Sequence, residues 1–220
     1  MAEIMNLLLI RHAANDWVGK KLAGWTPGVH LNEEGRAQAA ALAERLAGVP
    51  LAAIYSSPLE RACETAEPLA AGHGLDIQVR EALGETGFGD WVGRELEELR
   101  KEKLWPVIQV YPGGARFPGG ESMREVQARV VAELDAIRDR HQGETVAAVF
   151  HADPIKLAIA HYLGLPLDLF QRIEISPASI TAFHFTRFGP QLVVLNSTPD
   201  LPDLEIKEVK EETEQLESEE

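Results

Sequence analysis

Short apolar segments recur along the chain, separated by polar, charged or glycine-rich stretches. They cover Asn6–Ile10, Leu51–Tyr55, Ile77–Val79, Thr145–Phe150, Ser179–Phe185 and Leu192–Leu195. Short continuous apolar runs are typical of strands that are covered on both faces of a sheet. The pattern predicts a strand at each segment, and we expect the last two strands to pair antiparallel.

Helix signals lie between most of these segments. Asn32 is expected to cap a helix whose first turn contains Glu33 and Glu34 and whose apolar stripe runs to Leu46. Further helices are predicted from Ser57 and Pro58 to about Ala71, around Glu95–Lys103, from a Ser122–Glu125 capping box, and from Pro154 to Leu163. Proline and glycine predict a loop over Tyr111–Gly120. Strands that alternate with helices indicate an α/β layer structure with a largely parallel sheet.

The length of 220 residues suits one well-buried core rather than two. We expect a single domain over residues 1–204 and an acidic tail over residues 205–220, whose composition predicts disorder. The lone cysteine, Cys63, excludes an internal disulfide framework, and no apolar run approaches the ~20 residues of a membrane span. These features favour a cytoplasmic protein without a membrane partner.

Negative charge dominates the chain and is concentrated at its end. The net charge is −14, and residues 205–220 contain eight Glu and two Lys, which give −6 and leave −8 for the remainder. A body of that sign repels nucleic acid and anionic lipid, so neither is expected as a partner. Any phosphate site must therefore be a local basic pocket, which makes clustered arginines informative.

Chemically informative residues follow four of the predicted strands. They are Arg11 and His12 after the first strand, Ser56, Ser57 and Arg61 after the second, Glu85 after the third, and His151 after the fourth. Ligands of open parallel sheets bind beyond the carboxyl ends of the strands, so these side chains are expected at one edge. Taken singly, each also fits a structural role, such as a hydrogen-bonded histidine or a surface ion pair. Their convergence favours a functional site.

Phosphoryl transfer explains why these residue types belong together. Two guanidinium groups match the oxygens of a phosphoryl group and also favour the neutral, nucleophilic form of a nearby histidine. A neutral imidazole can attack phosphorus and hold it covalently, while a second histidine donates to the transferring oxygens. Glu85 is then the available acid for the leaving alcohol. The residues alone do not distinguish the roles of His12 and His151.

Three rival chemistries fit the sequence less well. A cysteine phosphatase needs an arginine six residues after its cysteine, and that position after Cys63 is Leu69. No glycine-rich loop ends in Lys-Ser or Lys-Thr, as a Walker nucleotide site requires. His151 and Asp153 could form a pair of metal ligands, but no second pair at short spacing accompanies them. We therefore expect no metal and no cofactor.

Six motifs occur in order along nearly the whole body of the chain. They are Leu9–His12, Leu31–Ala39, Ser56–Ala62, Glu85–Gly93, Phe117–Ser122 and His151–Asp153. Together they resemble the histidine phosphatase superfamily, also called phosphoglycerate mutase-like. The resemblance implies a three-layer, doubly wound, mostly parallel sheet with helices on both faces.

The same resemblance implies roles for individual residues. His12 would be the nucleophile and Glu85 the proton donor, with Arg11, Arg61 and His151 forming the phosphate pocket. The family's signature glycine is Ala13 here, and its following Glu-Thr is replaced by Ala14 and Asn15, so Asn15 is a candidate substitute contact to phosphate. The glycine that usually follows the second histidine is Ala152, as in members described as probable phosphomutases.

The expected activity is hydrolysis of a small phosphorylated metabolite. The segment Arg94–Pro118 is shorter than its counterpart in the glycolytic mutases, which favours a phosphatase over a phosphomutase. A phosphate-binding regulatory protein that has lost turnover is the alternative from another class. Substrate specificity is expected to lie in lid residues, for which Trp91, Trp105, Tyr111 and Phe117 are candidates. The sequence does not predict the oligomeric state.

Overall fold

The structure is a computed structural model, and it describes residues 4–200. One sheet of six strands runs through this part of the chain, in the order β3-β2-β4-β1-β5-β6. The strands are β1 (Met5–Arg11), β2 (Leu51–Ser56), β3 (Ile77–Val79), β4 (Thr145–Phe150), β5 (Ile180–Thr186) and β6 (Gly189–Ser197). Strands β1 to β4 pair in parallel, whereas β5 pairs antiparallel with both β1 and β6. The sheet is therefore mixed, with the parallel strands together on one side.

Helices cover both faces of the sheet. They are α1 (Glu33–Leu46), α2 (Glu60–His73), α3 (Leu96–Leu99), α4 (Trp105–Val110), α5 (Met123–Arg140) and α6 (Ala152–Tyr162). Alternation along β1 explains the layering, because Leu8 and Ile10 pack into one apolar cluster with α1 and α2, and Leu7 and Leu9 pack into the other with α5 and α6. The α/β architecture with helices on both faces is confirmed.

Local sequence signals account for two helix starts. The Asn32 side chain accepts a hydrogen bond from the Gly35 amide at 2.8 Å, as expected of an N-cap. Ser122 and Glu125 form the predicted reciprocal capping box at the start of α5. Both signals involve residues only three positions apart, so they can be predicted from the sequence alone.

Other expected boundaries were wrong. Helix α2 begins at Glu60 with Leu59 as its N-cap, so Ser57 does not cap it and Pro58 is not its first residue. The charged stretch expected to form one helix over Glu95–Lys103 contains only the single turn α3, and the chain then forms α4, which was not predicted. The acidic tail lies outside the described residues. None of the helices within residues 4–200 has both the length and the apolar character that a membrane crossing requires.

Candidate active site

The parallel strands bring the two histidines together. Strands β1 and β4 are neighbours, and Arg11 lies opposite Phe150 at their carboxyl ends. His12 and His151 are the next residues, and their ring centroids are 5.2 Å apart. The expected convergence at one edge of the sheet is therefore present.

Backbone contacts fix the segment that contains His12. The amide of His12 donates to the carbonyl of Phe150 at 2.8 Å, which continues the ladder beyond β1. The amide of Ala13 donates to Thr65 Oγ1 and that of Ala14 to Gln38 Oε1, both at 2.9 Å. Helices α1 and α2 thus hold this segment from the side.

The hydrogen bond of His12 determines its tautomer. Its Nδ1 lies 2.8 Å from the carbonyl oxygen of Ala13, and a carbonyl only accepts, so Nδ1 carries the proton. The lone pair is then on Nε2. Burial, followed by the charges of Arg61 and Arg11, holds the pKa of His12 well below its usual value. His12 is therefore a neutral imidazole with an unprotonated Nε2.

The two arginines are each anchored by one carbonyl. Arg11 Nη1 donates to the carbonyl of Ile175 at 2.6 Å, and Arg61 Nη2 donates to that of Gly24 at 2.9 Å. Arg61 is almost completely buried, at 1% exposure. These bonds hold both guanidinium groups in place. Each bond uses one N–H donor, so the other donors of each group are free of these two carbonyls.

Several buried donors of the site have no acceptor among the described residues. They are Arg11 Nε and Arg61 Nε and Nη1, and the ring nitrogen Nδ1 of His151 is likewise without a partner. Buried polar groups are almost always paired, because an unpaired one costs about 1–3 kcal/mol. Unpaired guanidinium donors on two neighbouring arginines, beside an unpaired imidazole nitrogen, are the arrangement expected around a bound oxyanion.

Glu85 lies beside these donors in the loop that follows β3. Its Oε1 accepts from the amide of Thr86 at 2.8 Å, and its Oε2 is 3.8 Å from His151 Nδ1. The carboxyl is 13% exposed. Burial, together with the neighbouring charge of Asp153, raises the pKa of Glu85 to about 7. The group is thus able to hold or release a proton near neutral pH.

Ser57 belongs to the site, as its position after the second strand predicts, although it was also expected to cap a helix. Its Oγ lies 2.8 Å from Nε2 of His151. Burial first, and then the charge of Arg61, lowers the pKa of His151 well below its usual value, so this ring too is neutral. Its position directly after a buried strand was the available signal for Ser57, but the Ser-Pro pair also suited a helix start.

A small pocket of about 150 Å³ opens above this cluster. Arg11, His12, Arg61 and Glu85 line it, together with Asn15, Trp17, Val18, Gly19, Lys21, Leu22, Ala23, Phe88, Leu96, Ala152 and Asp153. Asn15 is buried, and its Oδ1 accepts from the amide of Trp17 at 2.9 Å, so only its amide NH₂ is left to donate to a ligand.

The residues expected to form a lid do not line this pocket. Trp91 and Phe117 are buried core residues that pack edge-to-face, and Trp105 stacks on Trp91. The rim instead contains Trp17 and Lys21, with the ammonium of Lys21 5.6 Å from the ring centre of Trp17. The expectation was therefore wrong for Trp91 and Phe117, because large aromatic side chains serve the core as readily as a ligand site, and the exposed Tyr111 lies outside the pocket lining as well.

The candidate pair His151 and Asp153 gains no further ligand in the fold. Within the described ranges, no three or more His, Cys, Asp or Glu side chains are arranged to hold a metal ion. Asp153 lines the pocket, and burial raises its pKa. The nearest cation to it is Lys156, whose Nζ is 4.0 Å from Asp153 Oδ1.

Proteins similar to this chain include named phosphatases and a probable phosphoglycerate mutase. Phosphoserine phosphatase 1 of Hydrogenobacter thermophilus is 32% identical over 202 residues, which are 89% of this chain and 93% of the relative. A probable phosphoglycerate mutase of Cronobacter sakazakii is 30% identical over 81% of this chain and 84% of its own length. The solved structure of a mycobacterial glucosyl-3-phosphoglycerate phosphatase superposes with a TM-score of 0.82 at 28% identity and covers 89% of this chain and 100% of that chain.

A family profile extends the match over the whole sheet. It covers residues 7–198, from the first strand to the end of β6. The match includes every element that places Arg11, His12, Arg61, Glu85 and His151 at one edge. On this basis the chain belongs to the histidine phosphatase superfamily (branch 1).

Proposed function

We propose that the protein hydrolyses phosphomonoesters through a covalent phosphohistidine on His12. The observation that carries this proposal is the unprotonated Nε2 of a buried, neutral His12 beside unpaired guanidinium donors of Arg11 and Arg61. A nucleophile and a set of oxyanion donors are the two parts that phosphoryl transfer requires. Both parts are side chains of this protein.

The first half of the reaction forms the intermediate. His12 Nε2 attacks phosphorus, the bond from phosphorus to the ester oxygen breaks, and Glu85 gives its proton to the departing alkoxide. Nδ1–H remains hydrogen-bonded to the carbonyl of Ala13, which stabilises the positive charge that develops on the ring. Arg11 and Arg61 donate to the equatorial oxygens, where negative charge accumulates.

Water completes the cycle. The carboxylate of Glu85 takes a proton from water, the resulting hydroxide attacks phosphorus, and the bond between phosphorus and Nε2 breaks. Inorganic phosphate and neutral His12 are the products. His151 contributes a donor when the Ser57 hydroxyl donates to its Nε2, because the ring proton is then on Nδ1, which faces Glu85.

Pocket size and the relatives limit the substrate class. A volume of about 150 Å³ suits a phosphoryl group and a small alcohol rather than a macromolecule. The names phosphoserine phosphatase and glucosyl-3-phosphoglycerate phosphatase favour hydrolysis over transfer to a second hydroxyl. We therefore propose a small phosphorylated metabolite as substrate and, from the single Cys63, a reducing cytoplasmic compartment.

Rapid trapping of the intermediate tests the central step. Enzyme mixed with phosphate-labelled substrate and quenched in alkali is expected to retain one label per active chain, because a phosphoramidate on imidazole survives base. His12→Ala should abolish trapping and lower turnover by several orders of magnitude. His151→Ala should slow the reaction but still allow labelling, since that residue only stabilises charge.

Two outcomes would contradict the proposal. Labelling that persists in His12→Ala and disappears in His151→Ala would reverse the roles of the two histidines. Turnover without label in the wild-type protein, sampled before the steady state, would mean that water attacks the ester directly. The matched control is His30→Ala, because His30 is an exposed residue whose ion pair with Glu64 lies outside the pocket.

A further inference from the structure

Arg129, on helix α5, makes an unusually complete set of hydrogen bonds to the loop that contains Glu85. Its Nη1 donates to the carbonyls of Ala82 and Gly84, at 2.9 and 2.8 Å, and its Nη2 donates to the carbonyl of Glu85 at 2.8 Å. Its Nε and Nη2 donate to the two carboxylate oxygens of Glu121, at 2.8 and 2.9 Å. A guanidinium group has five N–H donors, and these five bonds use all of them.

Glu121 extends this contact to the far side of the same loop. Its Oε2 also accepts from the amide of Gly87 at 2.7 Å, and its own amide donates to the carbonyl of Gly87 at 2.7 Å. The Arg129–Glu121 pair therefore holds the backbone on both sides of Glu85. Burial raises the pKa of Glu121, but the hydrogen bonds from Arg129 and the Gly87 amide together outweigh it, so the net pKa is lowered and Glu121 stays ionised.

A second donor, on Trp25, reaches the same carbonyl of Glu85. Trp25 Nε1 donates to the carbonyl of Glu85 at 2.7 Å. A Cβ atom at Gly84 would lie 2.0 Å from the Trp25 ring, so the indole rests directly on the loop backbone. The preceding residue, Gly24, accepts from Arg61. The loop is thus clamped between α5 and a segment bonded to the phosphate pocket.

The carboxyl group of Glu85 has little support of its own. The only hydrogen bond recorded for it within residues 4–200 is the one from the amide of Thr86, which is part of the same loop. Its location relative to His12 is consequently set by the backbone that Arg129 and Trp25 hold. Misplacement of a catalytic group by about 1 Å can cost about 10²-fold in rate.

We propose that Arg129 is a positioning residue that fixes Glu85 for proton transfer to the leaving group, and that Trp25 assists it. The inference rests on the proposed role of Glu85 as the acid. Helix α5 itself is anchored by fully buried Val126, Val130 and Leu134, so loss of the guanidinium loosens the loop and leaves the helix packed.

Dependence on the leaving group separates positioning from a general structural role. An alkyl phosphate needs the proton of Glu85, whereas p-nitrophenyl phosphate has a leaving group that needs little protonation. Because Glu85 also activates water in the second half-reaction, which both substrates share, the comparison uses kcat/KM, which reports only the steps up to departure of the alcohol. We expect Arg129→Met to lower kcat/KM for the alkyl phosphate ~10- to 100-fold and to lower it for p-nitrophenyl phosphate less than about threefold. Arg129→Lys, which keeps the charge but has fewer donors, should fall between wild type and Arg129→Met.

Matched variants make the test interpretable. Arg138→Met removes another arginine of α5, whose ion pairs with Asp135 and Asp139 lie on the surface. This variant should leave the rate unchanged for both substrates. Trp25→Phe keeps an aromatic ring over Gly84 but removes the N–H, and should reproduce the substrate-selective loss at smaller size. Melting temperatures of all variants report whether the fold is intact.

The outcomes separate failure of the positioning role of Arg129 from failure of the acid role of Glu85. If Glu85→Gln lowers kcat/KM of both substrates equally, the assigned role of Glu85 as the acid fails. If Glu85→Gln is selective for the alkyl phosphate but Arg129→Met is neutral or equally harmful to both substrates, the positioning role of Arg129 is refuted. If Arg129→Met does not fold, Arg129→Lys and Trp25→Phe decide. If neither of these variants loses more activity on the alkyl phosphate than on p-nitrophenyl phosphate, the positioning role is refuted as well.

Discussion

Gly35, in the first turn of α1, has almost no space for a side chain. A Cβ atom at this position would lie 1.9 Å from the carbonyl oxygen of Ala14 and 2.9 Å from its carbonyl carbon. Non-bonded carbon and oxygen atoms need roughly 3.2 Å or more, judged from the ~3.5 Å contact distance of packed carbon atoms. Gly35→Ala therefore requires the helix or the segment beyond His12 to move by more than about 1 Å.

The segment cannot move without affecting the nucleophile. Ala14 is two residues from His12, and its carbonyl also accepts from the amide of Asn32 at the start of α1. A displacement of about 1 Å at a reacting group lowers the rate about 10²-fold, so we expect kcat/KM to fall by about that factor. Alanine favours a helix by about 1 kcal/mol over glycine, but overpacking costs about 1–3 kcal/mol, so the melting temperature should not rise.

Gly72 supplies the matched control. It lies within α2, and nothing is within 4 Å of the Cβ atom that an alanine would add. Gly72→Ala should keep full activity and gain roughly 0.5–1 kcal/mol of stability from helix propensity. Steady-state kinetics and thermal melts of both variants are sufficient. Full activity together with a raised melting temperature in Gly35→Ala would refute the inferred contact between α1 and the catalytic segment.

Three other predictions concern pH, metal ions and the end of the chain. Because a raised pKa of about 7 keeps Glu85 protonated below that pH, kcat/KM for alkyl phosphates should fall as pH rises through about 7, while kcat/KM for p-nitrophenyl phosphate changes less; parallel kcat/KM profiles would exclude Glu85 as the acid. Excess chelator should leave activity unchanged, and activity lost to chelator and restored by a divalent ion would support the metallohydrolase alternative. A chain ending after Leu204 should keep its rate within about twofold, since acidic, polar termini rarely contribute to a core; a lower melting temperature would contradict this.

Features that lie within short segments of the sequence predicted most of the strands of the sheet and the location of the site. The apolar runs predicted each strand. Arg11, His12 and His151 were recognised as site residues because they follow the ends of strands, and the ends of parallel strands lie at one edge of the sheet. Contacts between distant segments were not predictable in the same way. Ser57 resembles a helix cap locally, but in the fold its Oγ lies beside His151, 94 residues later.

Residues on helices were the hardest to assign. Arg129 occupies a polar position of an amphipathic helix, a pattern that usually marks a face in contact with solvent. Only the fold places it beside the loop of Glu85, 44 residues earlier. Trp91 and Phe117 illustrate the opposite error, because aromatic residues in a glycine-rich region suggest a ligand site but here fill the core.

The unpaired donors of the pocket also have a consequence for how stability and function trade off in this protein. Arg61 is almost fully enclosed, yet two of its three guanidinium nitrogens find no acceptor among residues 4–200. A methionine there would avoid the cost of burying an unpaired charge and could make the fold more heat-resistant while destroying the pocket. For the native chain, inorganic phosphate should act as a stabilising ligand, raising the melting temperature as its concentration exceeds the dissociation constant. The reaction product would then both protect the folded state and compete with substrate for the same arginines.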